Sequence, residues 1–279
     1  MKITIIADSS CDLKNVNLTS DKIDFLTVPL ILTLGEDEIV DEETLNTEEF
    51  MKKMKLSKVL SSACPSPEAF AEQMRGRDNI IVVTITSKLS GTYGAAKIAM
   101  DEILAENPKK KIYLFDTLNA TAGTTSMLYK IQELIEVDKL SYDEVVERLP
   151  KIRETARVRF LLQDLSNLVK TGRMGKVAGA VVGLTPLKLI CGDDGEGTIK
   201  KHTMAFGTRK GLVALAGLVK KEMDNEGFGP VVINHARNEE DALALKDILE
   251  GYGVKKIRIV PMRGLATFYA NDKGIVIGY

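Results

Sequence analysis

The apolar run Ile-Ile-Val-Val-Thr-Ile at 80–85 leads straight into Thr86-Ser87-Lys88-Leu89-Ser90-Gly91-Thr92-Tyr93 and then into an alanine-rich stretch of helical spacing. It reads as strand, hydroxyl-rich turn and helix start, the repeating unit of an α/β fold. Apolar runs at 3–7 and 112–115 also end in polar turns. After the central run, Ala95, Ala96, Ala99, Met100, Ile103 and Leu104 share one helical face. After the next, Met127, Leu128, Ile131 and Leu134 do the same. Strand-to-helix crossovers of this kind predict a mostly parallel sheet in the first half of the chain.

Between the first two units, residues 26–33 and 38–40 flank Gly35-Glu36-Asp37, the pattern of a hairpin-like excursion, and 45–55 turns helical. Residues 139–157 are charged and helix-prone. Beyond them the elements shorten and are punctuated by Thr171-Gly172, Gly192-Asp193-Asp194-Gly195 and Gly227-Phe228-Gly229-Pro230. A boundary near Ala156 is expected, dividing an N-terminal α/β domain (1–156) from a C-terminal α+β domain (157–279). In the latter, 187–191 and 198–206 predict an antiparallel hairpin around Asp-Asp-Gly-Glu-Gly. Then 231–234, a helix at 239–249, 256–261 and 274–279 complete a mixed sheet with helices on one face. The length of 279 residues suits two domains.

Composition narrows the functional classes. Lys+Arg (38) and Asp+Glu (39) nearly cancel, and no long run of one sign occurs, which disfavours nucleic-acid steering and polybasic membrane docking. Cys11, Cys64 and Cys191 are too few and too scattered for a disulfide framework. The opening Met-Lys-Ile-Thr-Ile-Ile-Ala-Asp is too short for a signal core, and no apolar stretch reaches membrane-spanning length. A cytoplasmic protein with no integral membrane segment is expected.

Three hydroxyl-bearing turns carry the chemistry: Asp8-Ser9-Ser10, Ser61-Ser62-Ala63-Cys64-Pro65-Ser66, and residues 87–92. In a parallel sheet they would converge at the strand ends. Backbone N–H groups at a helix start, together with Ser90 and Thr92, form a cradle for an anion. Asp8 and Ser66 read as helix caps. Ser90 lacks a Gly-x-Ser-x-Gly setting, and only His202 and His235 are available as bases. Cys64, ahead of Pro65 at a helix start, is a candidate thiol or a small buried residue. No close-spaced metal-ligand set, Walker sequence or dinucleotide fingerprint occurs, so neither a metal nor a cofactor is expected. Residues 168–187, small and aliphatic, suit an apolar tunnel with Arg173 and Lys176 at its mouth, or a tightly packed helix. Gly172 suits a helix C-cap.

Taken in order, several tracts resemble the DegV family of bacterial fatty-acid-binding proteins. They are Asp8-Ser9-Ser10-Cys11-Asp12-Leu13, residues 62–66, Leu89-Ser90-Gly91-Thr92-Tyr93, Phe115-Asp116-Thr117, Lys170-Thr171-Gly172-Arg173-Met174-Gly175-Lys176, and Asp194-Gly195 leading to Gly207-Thr208-Arg209-Lys210. The resemblance implies a two-domain protein that clasps one long-chain fatty acid, such as palmitate, in a cleft between its domains. It also implies no catalysis of its own, the carboxylate being presented to a separate ATP-dependent fatty acid kinase subunit. By position, Ser62 and Ser90 would hold the carboxylate, with Gly91, Thr92, Arg173 and Phe268 near the head group and Arg209 in kinase docking. Phe268 stands where relatives carry a histidine, and Ser62-Ala63-Cys64-Pro65 replaces a Thr-Ser-Gln-Pro turn, which leaves support of phosphorylation open. The alternatives are a hydrolase using Cys64 or Ser90, and a diverged regulatory member that binds no lipid.

Overall fold

The computed structural model describes residues 2–175, 187–226 and 229–279. The chain opens with β1 (Ile3–Asp8), β2 (Ile23–Val28), β3 (Ile31–Leu34), β4 (Asp37–Val40), α1 (Thr47–Leu56), β5 (Leu60–Ala63) and α2 (Pro67–Met74). It continues through β6 (Ile80–Thr84), α3 (Thr92–Glu106), β7 (Ile112–Asp116), α4 (Ala122–Glu136) and α5 (Tyr142–Thr155). Then come β8 (Val158–Leu161), α6 (Ser166–Lys170), β9 (Leu187–Asp193), β10 (Ile199–Phe206) and α7 (Thr208–Glu226). The final elements are β11 (Val231–His235), α8 (Glu239–Gly251), β12 (Ile257–Pro261), α9 (Gly264–Ala270) and β13 (Ile275–Gly278). Among the described residues, no helix is long and apolar enough to cross a membrane.

The fold is α/β. Strands β2-β1-β6-β7 form an all-parallel sheet. Its strands are apolar on both faces because both are covered. Ile6, Ile80 and Val82 face α2 and α3, where Ala95, Ala96 and Ala99 present a small-residue surface to the sheet. The alternate residues Ile5, Ile81 and Val83 face α4 and α5. The chain moves outward one way from β1 to β2 and the other way from β6 to β7, so a crevice opens beyond the carboxyl ends of β1 and β6. Asp8 bridges those ends, its carboxylate accepting from the N–H groups of Ser10 (3.0 Å) and Ile85 (2.7 Å).

The second sheet, β10-β9-β8-β13-β11-β12, is mixed; only β11 and β12 are parallel neighbours. Helices α7 and α8 cover one face. The other face packs on α4, so a single core joins Ile5 and Cys11 at one end of the chain to Phe160 and Val276 at the other. Gly278 permits this approach, since a Cβ there would meet the Ala122 carbonyl oxygen at 2.0 Å. A third sheet, β4-β3-β5, is antiparallel. The expected hairpin is β3-β4, but Ser61, Ser62 and Ala63 are strand residues rather than a turn, paired with Thr33, Leu32 and Ile31. The tract 176–186, including Lys176, and the Gly227-Phe228 pair lie outside the described residues.

Candidate functional site

Where the crevice of the parallel sheet meets the inner face of the mixed sheet, the protein encloses a cavity of about 350 Å³. Its walls are mainly aliphatic and aromatic: Leu30, Ile85 and Leu118 from the first half of the chain, and Phe160, Leu162 and Val276 from the second. Ser62, Cys64, Ser90, Gly91, Arg173 and Tyr269 also border it. The cavity therefore offers an apolar interior together with hydroxyls and the Arg173 guanidinium, which is what an amphiphile with an anionic head requires.

Ser90 is placed by the turn after β6. The N–H groups of Leu89 and Ser90 both bond the Thr86 carbonyl, and Gly91 then caps α3 without any side-chain acceptor. The Thr92 N–H meets the Ser90 hydroxyl at 3.4 Å, so the start of this 15-residue helix brings that hydroxyl and the positive end of the helix dipole to the cavity edge. Thr92 is fully buried and does not border the cavity; its hydroxyl holds that of Ser90 at 2.8 Å. Gly91 packs closely on Cys64: a Cβ there would stand 3.3 Å from its sulfur, so the thiol would have to shift by a few tenths of an ångström.

Ser62 arrives from β5, opposite Leu32, and its hydroxyl lies 2.7 Å from the phenolic oxygen of Tyr269 on α9. Arg173 is positioned by the end of α6. Gly172, at φ +76°, donates to the Val169 carbonyl, and the N–H of Arg173 reaches back to that of Leu168. This pair of bonds is the glycine-dependent helix stop anticipated at Gly172. Arg173 then donates to the Thr171 carbonyl (2.6 Å) and stands 6.0 Å from the Tyr269 ring centroid. Three distant segments so converge on one point.

Several expected site residues sit elsewhere. Phe268 is not at the mouth: it is fully buried with Leu32, Phe50 and Leu265, and it meets Tyr269 edge-on at 4.9 Å. One helical residue turns the side-chain direction by about 100°, so Tyr269 faces the cavity and Phe268 the core. The Asp8-Ser9-Ser10 turn does not border the cavity either; the Ser9 hydroxyl accepts the Leu30 N–H, and Ser10 is buried. Ser66 caps α2 through the Ala69 N–H. Arg209 is exposed near the start of α7, away from the cavity lining. Cys64 and Ser90 have no histidine beside them in that lining. His202 contacts the Asp193 carbonyl and His235 accepts from the Asn238 N–H; burial lowers the pKa of both.

Two further features were not legible in the sequence. The tip of the β9-β10 hairpin folds over the cavity, where Thr86 donates to the Gly197 carbonyl at 3.0 Å. The tip is internally braced: Asp193 accepts from the Gly195 N–H, while Asp194 accepts from Glu196, Thr198 and the Thr198 hydroxyl. Secondly, a buried polar hub ties the two ends of the chain. Asp12 accepts from Asn234 and from the Arg263 N–H, Arg263 donates to the Leu13 and Asp41 carbonyls, and Asp41 caps α9 through Gly264 and Leu265. Burial pushes the Asp12 carboxyl up to about 8 and that of Asp8 up to about 6, and it raises Asp41 as well.

Comparison with known proteins gives consistent matches. The family model described as "Uncharacterised protein, DegV family" matches residues 2–278. A DegV domain-containing protein of Streptococcus pyogenes serotype M1 is 36% identical over 279 residues, covering 99% of this chain and 98% of its own. Among crystal structures, the Streptococcus pneumoniae Fatty Acid Kinase (Fak) B3 protein loaded with linoleic acid superposes with a TM-score of 0.91. It is 32% identical, with 100% of this chain and 99% of that chain covered. A DegV family protein from Ruminococcus gnavus, refined with vaccenic acid, gives a TM-score of 0.92 at 29% identity, with 99% of each chain covered.

Proposed function

The chain belongs to the DegV family, and on that premise we propose that it binds one long-chain fatty acid in the cavity between its parallel and mixed sheets. The carboxylate lies at Ser62, Ser90 and the N-terminal end of α3, with the charge of Arg173 nearby. The acyl chain runs along Leu118, Phe160, Leu162 and Val276. The observation that carries this reading is the junction, in one cavity, of an aliphatic wall with hydroxyls and a helix N-terminus. Crystal structures of similar proteins loaded with linoleic and vaccenic acids support it.

The tail dominates affinity. Each buried methylene contributes about 0.8 kcal/mol, so a palmitate-sized chain supplies on the order of 10 kcal/mol before ordering costs. A buried carboxylate without partners costs several kcal/mol, and the hydroxyls and N–H groups offset that loss. The protein itself performs no bond chemistry in this reading. It presents the carboxylate to a separate ATP-dependent kinase subunit, a role supported by its likeness to a fatty acid kinase B protein, with Arg209 on the exposed surface as a docking contact. Denaturing the purified protein and identifying the extract by mass spectrometry tests the binding step. One fatty acid per chain is expected; protein that neither carries nor takes up a fatty acid overturns it.

A further inference from the structure

Resting on the fatty-acid reading, we infer that Tyr269 is the residue that makes this site specific for a free carboxylate. Its hydroxyl and that of Ser62 are 2.7 Å apart at the cavity wall, delivered by α9 and β5 from positions 207 residues apart in the chain. Two hydroxyls at this spacing match the two oxygens of one carboxylate. Each donates one O–H, and together they form a fork. Within the chain only one of the two protons can serve their mutual bond; a carboxylate seated on the pair accepts both. An ester, amide or alcohol head lacks the second anionic oxygen and leaves one hydroxyl poorly paired.

The surroundings hold the phenol in place. The Phe268 ring packs edge-on against Tyr269, and Asp41 anchors the first turn of α9 through the Gly264 and Leu265 N–H groups at 2.9 and 3.0 Å. Gly264 cannot carry a side chain, because a Cβ would lie 2.6 Å from the Asp41 carboxylate. The guanidinium of Arg173, 6.0 Å from the ring centroid, places positive charge beside the fork and favours the ionised head. Tyr269 is thus a specificity-determining residue mounted on a rigid, capped helix.

The test compares palmitate with methyl palmitate on the parent, Tyr269→Phe, Ser62→Ala and the double variant, with binding measured by displacement of a fluorescent fatty acid. Tyr269→Phe keeps the ring packing. It is expected to weaken palmitate about tenfold or more while leaving the ester within about twofold, so acid-over-ester preference collapses. The double variant should lose less than the sum of the single losses, because the two hydroxyls act as one unit. An unchanged acid-to-ester ratio in Tyr269→Phe overturns this inference and leaves the fatty-acid reading intact. If the parent binds neither palmitate nor the ester, both are overturned.

Discussion

Gly197→Ala is the substitution with the largest expected effect on ligand retention. Gly197 sits at the tip of the β9-β10 hairpin with φ +93°, and a Cβ there would lie 2.4 Å from the Thr86 hydroxyl and 3.1 Å from Leu118 and Lys88 side-chain carbons. Alanine in such a backbone conformation is strained by about 1–3 kcal/mol. Moving the tip away also breaks the Thr86 to Gly197 hydrogen bond, worth about 0.5–1.5 kcal/mol net. The total, roughly 2–4 kcal/mol, falls on closure of the tip rather than on the whole fold, because Asp193 and Asp194 brace the turn from within. With about 1.4 kcal/mol per decade, release of bound fatty acid should accelerate at least about 30-fold. Stopped-flow displacement of a fluorescent fatty acid measures that rate. Thr86→Val, which removes that hydrogen bond together with the one the Thr86 hydroxyl accepts from the Lys88 N–H, should accelerate release by at least about 2-fold. A Gly197→Ala off-rate within twofold of the parent would show that the tip does not restrain the ligand.

Ser90→Ala should weaken fatty-acid binding about 5- to 10-fold and displace the head group, since Thr92 then loses its partner as well as the ligand; calorimetry and a liganded crystal structure check both effects. The buried hub sets a pH dependence. Asp8 and Asp12 titrate near 6 and 8 in the folded protein, against 3.8 ordinarily, so folding takes up protons that the unfolded chain releases above about pH 4. Their stabilising contribution is therefore complete below pH 4 and is lost as pH rises through 8, at about 1.4 kcal/mol per pH unit for each proton taken up. Facing them are Asp41, Cys11 and Arg263; the arginine moderates the effect without reversing it. Urea denaturation at pH 5 to 8 should show stability falling across that range, and Asp12→Asn should flatten the slope. Stability rising with pH in the parent would count against a buried proton on Asp12.

Much of the architecture was written locally. Residues 80–83 are apolar on both faces, and Ala95, Ala96 and Ala99 share a stripe, so β6, α3 and the parallel sheet that β6 joins follow from periodicity. Ser90 at the start of α3 and Gly172 past the end of α6 are likewise consequences of helix-end chemistry, which acts over four or five residues. The segment at 60–63 behaved differently. Its Leu-Ser-Ser-Ala has the composition of a turn, and it is a strand only because β3 supplies antiparallel partners from residues 31–34.

The sequence alone determined the alternating elements, the hydroxyl at the helix mouth and the glycine stop that turns Arg173 back, because each depends on backbone hydrogen bonds between near neighbours. Tertiary structure decided which residues meet. It chose Tyr269 over Phe268 by the phase of one short helix, set Gly197 against Thr86, and brought Asp12 to Asn234 and Arg263 across more than 200 residues. Such contacts are settled by how sheets and helices pack around a shared core, and no local pattern encodes that geometry.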